Sequence, residues 1–220
     1  MDATTLIVAL WIAFGATHIG LSSAPLRSRL VSSLGERGFG ALYSLLALAT
    51  FVPLVWVYAV SRHTGSQLWY LGELPGVRWV VYAGMGLAFV LVVAGVARPS
   101  PAALGKGKPQ VAGVLRITRH PLFMGMGLFG LLHLLAAPVS ASDLAFFGGF
   151  PLFVLLGAAH QDRRKLLTAG DAFRNFHRDT AFLPRPAAVA AALREDRVAA
   201  LIAVAAAVVV GALHPVLFGA

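Results

Sequence analysis

Residues Thr118–His133 read TRHPLFMGMGLFGLLH, and this stretch decides the fold. Proline suits the first position of a helix, where its missing N–H has no partner to lose. It also turns the preceding residue away from the α region, so His120 is predicted to mark a boundary and the helix to begin at Pro121. His133 lies twelve residues further on, about 18 Å along a helix axis. That is past the middle of a hydrocarbon layer about 30 Å thick. An ionisable side chain at such depth faces a bundle interior and has a partner.

The rest of the chain supports a membrane reading. Of its 220 residues, 58% are hydrophobic and 12% charged, with a mean hydropathy of +0.79; a soluble domain has about 25% charged residues. Apolar segments near spanning length run over residues 4–24, 39–60, 76–97, 121–138, 143–160 and 198–218. The expected fold is all-α: a polytopic membrane protein built as a bundle of six transmembrane helices. Residues 1–186 form a five-helix core with an amphipathic segment, and residues 187–220 a linker with an additional C-terminal helix.

Charge orients the bundle. Sixteen of the 18 Lys and Arg fall in the loops after the first, third and fifth spans; Arg62 and Arg78 are the others. Basic loops stay cytoplasmic, so both termini are expected on the periplasmic side of a bacterial-type inner membrane. The net charge of +9 thus reflects orientation, and nucleic acid is excluded as a partner. The start, MDATTL, lacks a basic n-region and leads straight into the first span, so no cleavable leader is expected. The absence of cysteine excludes disulfides, thiolate metal sites and cysteine nucleophiles.

In the first span, Trp11, Phe14, Gly15, His18 and Ser22 share one helical face, and Pro25 ends the helix. Pro53 is predicted to kink the second span. The loop after it is aromatic and holds His63, an interfacial residue. Residues 169–186, AGDAFRNFHRDTAFLPRP, are amphipathic and basic. They are expected in the headgroup layer with Phe173, Phe176 and Phe182 turned into lipid. The last span, nearly all Ala, Val and Leu before His214, is a packing helix.

Histidine is the strong soft-metal ligand that remains. Each intramembrane histidine can simply bond a neighbouring helix. Two on different spans can instead ligate a haem iron from opposite faces. His18 and His133 are the best pair, each with glycine three residues earlier (Gly15, Gly130) where a flat ring could approach the backbone; their depths differ by about 10 Å. His18 with His160 is the reserve pair. His120 and His160 lie at the cytoplasmic rim with Arg119, Arg163 and Arg164. They either anchor the interface or hold anionic groups, such as propionates or a phosphate, by forked bonds.

Four motifs in order carry a resemblance: THIGLSS in the first span, TRHPLFMG, the histidine thirteen residues after His120, and GAAHQDRRK. Over residues 1–186 the chain resembles the NnrU family, polytopic membrane proteins linked to denitrification that include the plant 15-cis-zeta-carotene isomerase. The resemblance implies haem b on transmembrane histidines, at the positions of His18 and His133; the reading of the rim adds His120, Arg119, His160 and Arg163 as candidate cofactor contacts. Where the isomerase has a cysteine one turn before the second ligand, this chain has Gly130. RHP with a later FLPRP is also similar to a superfamily of S-adenosylmethionine-dependent membrane methyltransferases, whose usual glutamate pair is here Gln161-Asp162.

A bis-histidine haem leaves no open iron position, and Asp and Glu are absent from the span interiors, which removes acid–base pairs. The expected role is therefore redox or nitrogen-oxide chemistry, ahead of carotenoid isomerisation on a hydrophobic small molecule and ahead of methyl transfer. Membrane lipid and haem are the expected partners.

Overall fold

The computed structural model describes residues 1–103, 109–136 and 138–218. Lys106 and Lys108, counted among the loop cations above, lie outside the described residues. The helices are α1 (Ala3–Ser22), α2 (Ala24–Ser61), α3 (Val77–Ala97), α4 (Pro121–Ala136), α5 (Ala141–Thr168), α6 (Gly170–Asp179), α7 (Val189–Glu195) and α8 (Arg197–Phe218). α1, α2, α3, α5 and α8 are long and apolar enough to cross a membrane. α4 is apolar but has only 16 residues. The all-α membrane fold is as read from the sequence, with five helices of spanning length and this shorter apolar helix where the fourth of six spans was expected.

Local chemistry sets the boundaries. α4 begins at Pro121, as predicted, and the Thr118 hydroxyl accepts from the His120 N–H (3.2 Å) just before it. Pro25 does more than end α1: it occupies the first turn of α2. α2 passes through Pro53 with helical backbone angles, and its non-helical residue is Gly35, at φ 72°. Glycine tolerates that conformation without a Cβ clash, so the helical path breaks at the basic end of α2, ahead of the proline. α5 opens with a capping box in which the Ser140 and Asp143 side chains serve each other's N–H groups.

The loop before α3 is more ordered than an interfacial segment needs to be. Gln67–Trp69 (β1) pairs antiparallel with Val139–Ser140 (β2), and the Trp69 indole N–H donates to the Leu134 carbonyl (2.9 Å). His63 is exposed, yet its Nδ1 lies 3.0 Å from Asp143 Oδ2. Asp143 also accepts from the Tyr58 hydroxyl (2.9 Å). This cluster ties the ends of α2 and α5 together.

Neighbouring spans follow the order α2, α1, α5, α4, α3, α8. Ile7, Trp11, Phe14, Leu54, Phe146 and Phe150 form one core between α1, α2 and α5. Leu91, Ala94, Met124, Val154 and Ala158 form another between α3, α4 and α5. Glycine brings α4 close to both neighbours. A Cβ at Gly125 would lie 2.8 Å from the Ala88 carbonyl oxygen, and one at Gly130 would lie 2.5 Å from that of Phe147. Small residues allow such approach in lipid. Leu48, Val52, Trp56, Leu152, Leu156, Leu201 and Val208 point outward and exposed, as lipid-facing side chains do. This is a multi-pass membrane protein.

α6 departs from expectation. Phe173 and Phe176 are buried against Ala102 and Leu115 of the loop that joins α3 to α4, so its aromatic face covers protein and not acyl chains. α7 is held by Glu195 and Asp196. The Gly113 N–H donates to Glu195 (2.6 Å) and the Val114 N–H to Asp196 (2.7 Å). Arg98 and Arg116 pair with the same two carboxylates.

The Gly113 N–H, assisted by Arg116, holds Glu195 below the ordinary carboxylate range. Burial pushes Asp196 up, but the Arg98 guanidinium and the Val114 N–H outweigh it and hold it down. A carboxylate depressed in the folded state stabilises it above the unfolded value and loses that contribution as pH falls through the folded one. The thermal midpoint should therefore drop as pH falls below about 4, the ordinary carboxylate value. The drop should be smaller in Glu195→Gln/Asp196→Asn, and equal drops in both proteins would refute the assignment.

Candidate functional site at the basic mouth and membrane core

At the mouth of α4 the chain is non-helical over Arg119-His120, with a bend at Arg119, and both side chains meet one carboxylate on α5. Arg119 Nε and Nη2 lie 2.8 and 2.7 Å from Asp162 Oδ2, and His120 Nε2 lies 2.8 Å from Oδ1. All three residues are buried, at 7%, 4% and 6% exposure. Arg119 Nη1 donates to the Thr180 carbonyl (3.0 Å), and the guanidinium lies over the Phe182 ring at 5.3 Å. The backbone closes the same knot, since Arg119 N–H donates to Ala181 and Arg185 N–H to Ile117. The Thr118 hydroxyl donates to Phe182 (2.6 Å). The two distant motifs TRHP and FLPRP thus form one clamp, and Phe182 packs on protein.

His177 of α6 stands at the edge of this knot, 3.6 Å from Asp162 Oδ2. Burial, with the Arg119 charge beside it, holds its imidazole below the ordinary histidine value despite the pull of Asp162. Arg163 is exposed and lines an open depression of about 480 Å³ with Ala159, Asp162, Leu166, Leu167 and Phe182. The rim residues therefore divide. Arg119 and His120 spend their donors on Asp162, and Arg163 faces outward. His160 and Arg164 share the other face of α5 by their spacing of four, and there the Arg27 charge and the Tyr43 hydroxyl lie within electrostatic reach of Arg164.

In the membrane core, an aromatic layer runs between α1, α5 and α4. His18 packs against Phe14 (4.7 Å), Tyr43 (4.5 Å) and Phe153 (5.5 Å between ring centroids). His133 stacks on Phe147 at 4.3 Å and 12° and lies 4.2 Å from Phe129. The two histidines thus pack at Phe153 and Phe147, six residues and about 9 Å apart along α5. Phe150 stands between these positions and touches Trp11 and Phe129. The second imidazole near His133 is that of His214, 6.4 Å away. Gly130 offers no open face to a flat ring, since the α5 backbone already fills it.

His133 Nδ1 lies 2.9 Å from the Phe129 carbonyl oxygen. A carbonyl only accepts, so Nδ1 carries the proton and Nε2 keeps its lone pair, the tautomer a metal ligand needs. Among the described residues no three metal-ligating side chains converge. The donor chemistry fits one imidazole per iron face. As packed, His18 and His133 share one iron only if the α5 phenylalanines move.

Sequence reasoning passed over Arg27, Tyr43, Asp143 and the pairing of Arg119 with Asp162. A signal existed for Asp162, the acidic residue within GAAHQDRRK. No sequence spacing could have joined it to Arg119, 43 residues away.

The chain matches the family described as NnrU protein over residues 5–220, through the last helix. It is 29% identical over 186 residues to the chloroplastic 15-cis-zeta-carotene isomerase of Arabidopsis thaliana, covering 81% of this chain and 48% of that protein. It is 28% identical over 187 residues to the protein of the same name from Zea mays, covering 81% and 49%. The chain therefore spans about half the length of the curated relatives it matches. No solved structure matches it. A match of this extent, carried by a membrane fold whose half-buried span histidines and basic mouth come from the motifs that first suggested the resemblance, makes the chain a member of the NnrU family.

Proposed function

We propose that this chain is a membrane isomerase that rotates a cis double bond in a long conjugated hydrocarbon, of the kind the relatives' name states. The observation that carries this reading is their likeness over 81% of the chain. It reverses the order expected from the sequence, which put redox or nitrogen-oxide chemistry first. Cis–trans rotation gains and loses no atoms, so the lack of acid–base pairs in the span interiors is no obstacle. Trp11, Phe14, Phe129, Phe147, Phe150 and Phe153 form a packed apolar, aromatic layer, a setting that would have to part to admit a polyene and would then stack on it.

Haem b is the proposed cofactor. When bound, it supplies a metal centre that changes redox and ligand state inside an apolar site. His133 presents Nε2 to it from a fixed tautomer. His18 is the proposed second ligand, as the resemblance implies, and His214 is the alternative that the 6.4 Å ring separation favours. At about 2 Å per metal–nitrogen bond, two imidazoles on one ion have centroids about 6 Å apart. The surrounding phenylalanines exclude water. The proposed setting is an inner membrane with the basic loops cytoplasmic and both termini periplasmic.

The test uses the full chain purified from haem-supplied cells and returned to liposomes with 15-cis-zeta-carotene. Conversion to the 15-trans form is expected. His133→Ala should abolish it together with the haem absorption, and comparison of His18→Ala with His214→Ala identifies the second ligand. A haem-loaded protein that leaves the substrate unchanged would overturn the isomerase reading, and a colourless one the cofactor.

A further inference from the structure

Among the described residues, the buried side-chain polar atoms without a hydrogen-bond partner are Arg164 Nε and Nη2, Arg27 Nε and His160 Nε2. They gather at one corner. Arg164 follows His160 by one turn of α5, and Arg27, from the first turns of α2, interacts electrostatically with Arg164. Arg164 is 9% exposed. Its Nε and Nη2 form the side-on fork of a guanidinium, the edge that Arg119 gives to Asp162. In Arg164 that edge has no protein acceptor.

The corner is rich in cations and poor in anions. Arg27, Arg164 and Lys165 all interact there. The carboxylate paired with Arg27 is Glu36, 2.8 Å from its Nη2 and 68% exposed at the side chain. Arg27 is also fixed over the Phe39 ring at 5.2 Å. A desolvated guanidinium without a counter-charge is costly, and a folded protein keeps one where a ligand supplies the charge.

We infer that Arg164, with Arg27 and His160 beside it, is a binding site for an anionic oxygen group, a phosphate or carboxylate. The inference is independent of the reaction proposed above. The fork matches the planar pair of oxygens on such groups, and Arg27 adds a second cation. Depth selects the carrier. Arg164 lies 23 residues beyond Ala141, about 35 Å along the helix, which exceeds a hydrocarbon layer of about 30 Å. The site is thus at headgroup level, where the phosphate of an anionic lipid sits. Tyr43 links this corner to the core, with its ring 4.5 Å from His18 and its hydroxyl within electrostatic reach of Arg164.

The experiment measures the thermal midpoint of the full chain, delipidated in neutral detergent, with phosphatidylcholine, phosphatidylglycerol, inorganic phosphate or haem added separately. A rise of at least about 3 °C with one or more anionic probes, and none with phosphatidylcholine, is expected. The effective probe identifies the carrier as lipid headgroup, free phosphate or propionate. Arg164→Gln should lose the rise and, without any probe, be at least as stable as the parent because an unpaired charge is gone. Arg27→Gln should weaken the rise and keeps the test decisive if Arg164→Gln fails to fold. Arg174→Gln, at an exposed cation paired with Asp171, should retain it. No rise with any anionic probe, or a full rise in both Arg164→Gln and Arg27→Gln, would overturn the inference.

Discussion

Asp162→Ala is expected to destabilise the protein by about 3–5 kcal/mol, the cost of leaving a buried charge without its partner. Asp162 receives two nitrogens of Arg119 and one of His120, and all three residues are buried. Its removal strands the guanidinium under Phe182 and the imidazole against Phe123. The same knot anchors residues 180–185 to 117–119 through backbone bonds, so the loss spreads to α6. For a chain of this length, each kcal/mol lowers the midpoint by about 2–4 °C. Asp162→Asn should be nearly as damaging, because it keeps the volume and loses the charge. The pair Arg119→Met/Asp162→Leu should recover much of the loss, since apolar replacement of a whole buried pair is often neutral or better. Thermal unfolding of the three proteins decides the point; if Asp162→Ala unfolds with the parent, the clamp contributes nothing.

Gly130→Leu should be the next most damaging change. A Cβ there meets the Phe147 carbonyl oxygen at 2.5 Å, Phe150 Cβ at 2.8 Å and Pro151 Cδ at 3.1 Å. These are backbone or short rigid groups and cannot swing aside, so α4 and α5 must separate. Overpacking of this kind costs about 1–3 kcal/mol, and more when backbone has to move. Phe147 also carries the His133 stack, so the substitution should displace that ring as well as lower the midpoint. Gly20→Ala is the matched control: nothing lies within 4 Å of its Cβ, and helix propensity favours alanine by about 1 kcal/mol. Equal midpoints for the two variants would refute the close-approach argument.

The apolar spans and the start of α4 were legible because each is a local or compositional property. Pro121 announced its helix, and the apolar lengths announced the membrane. What escaped depended on contacts between distant residues. Nothing in TRHP says that its arginine is neutralised from α5, so Arg119 looked as open to an anion as Arg164. Amphipathicity correctly gave α6 a buried face but could not say whether lipid or the loop at Leu115 would cover it. The bend in α2 was assigned to Pro53, the stronger local signal, while the chain turns at Gly35, where positive φ costs little. The ligand pair was chosen because the histidines lie on different spans with a glycine three residues before each, and the packing of Phe147, Phe150 and Phe153 between those histidines is a property of three helices together.

The shortness of α4 has a consequence for where the protein resides. Sixteen residues reach about 24 Å, some 6 Å less than an average hydrocarbon layer. Its neighbours α3 and α5 are longer, with 21 and 28 residues. Lipid beside α4 must therefore dimple, at a cost of a fraction of a kcal/mol per Å of mismatch. His133, three residues from the end of α4, lies about 5 Å from that dimple's floor. Thin bilayers relieve the mismatch, so in a membrane with thick and thin regions the protein should partition into the thin ones, and shorter acyl chains should stabilise it.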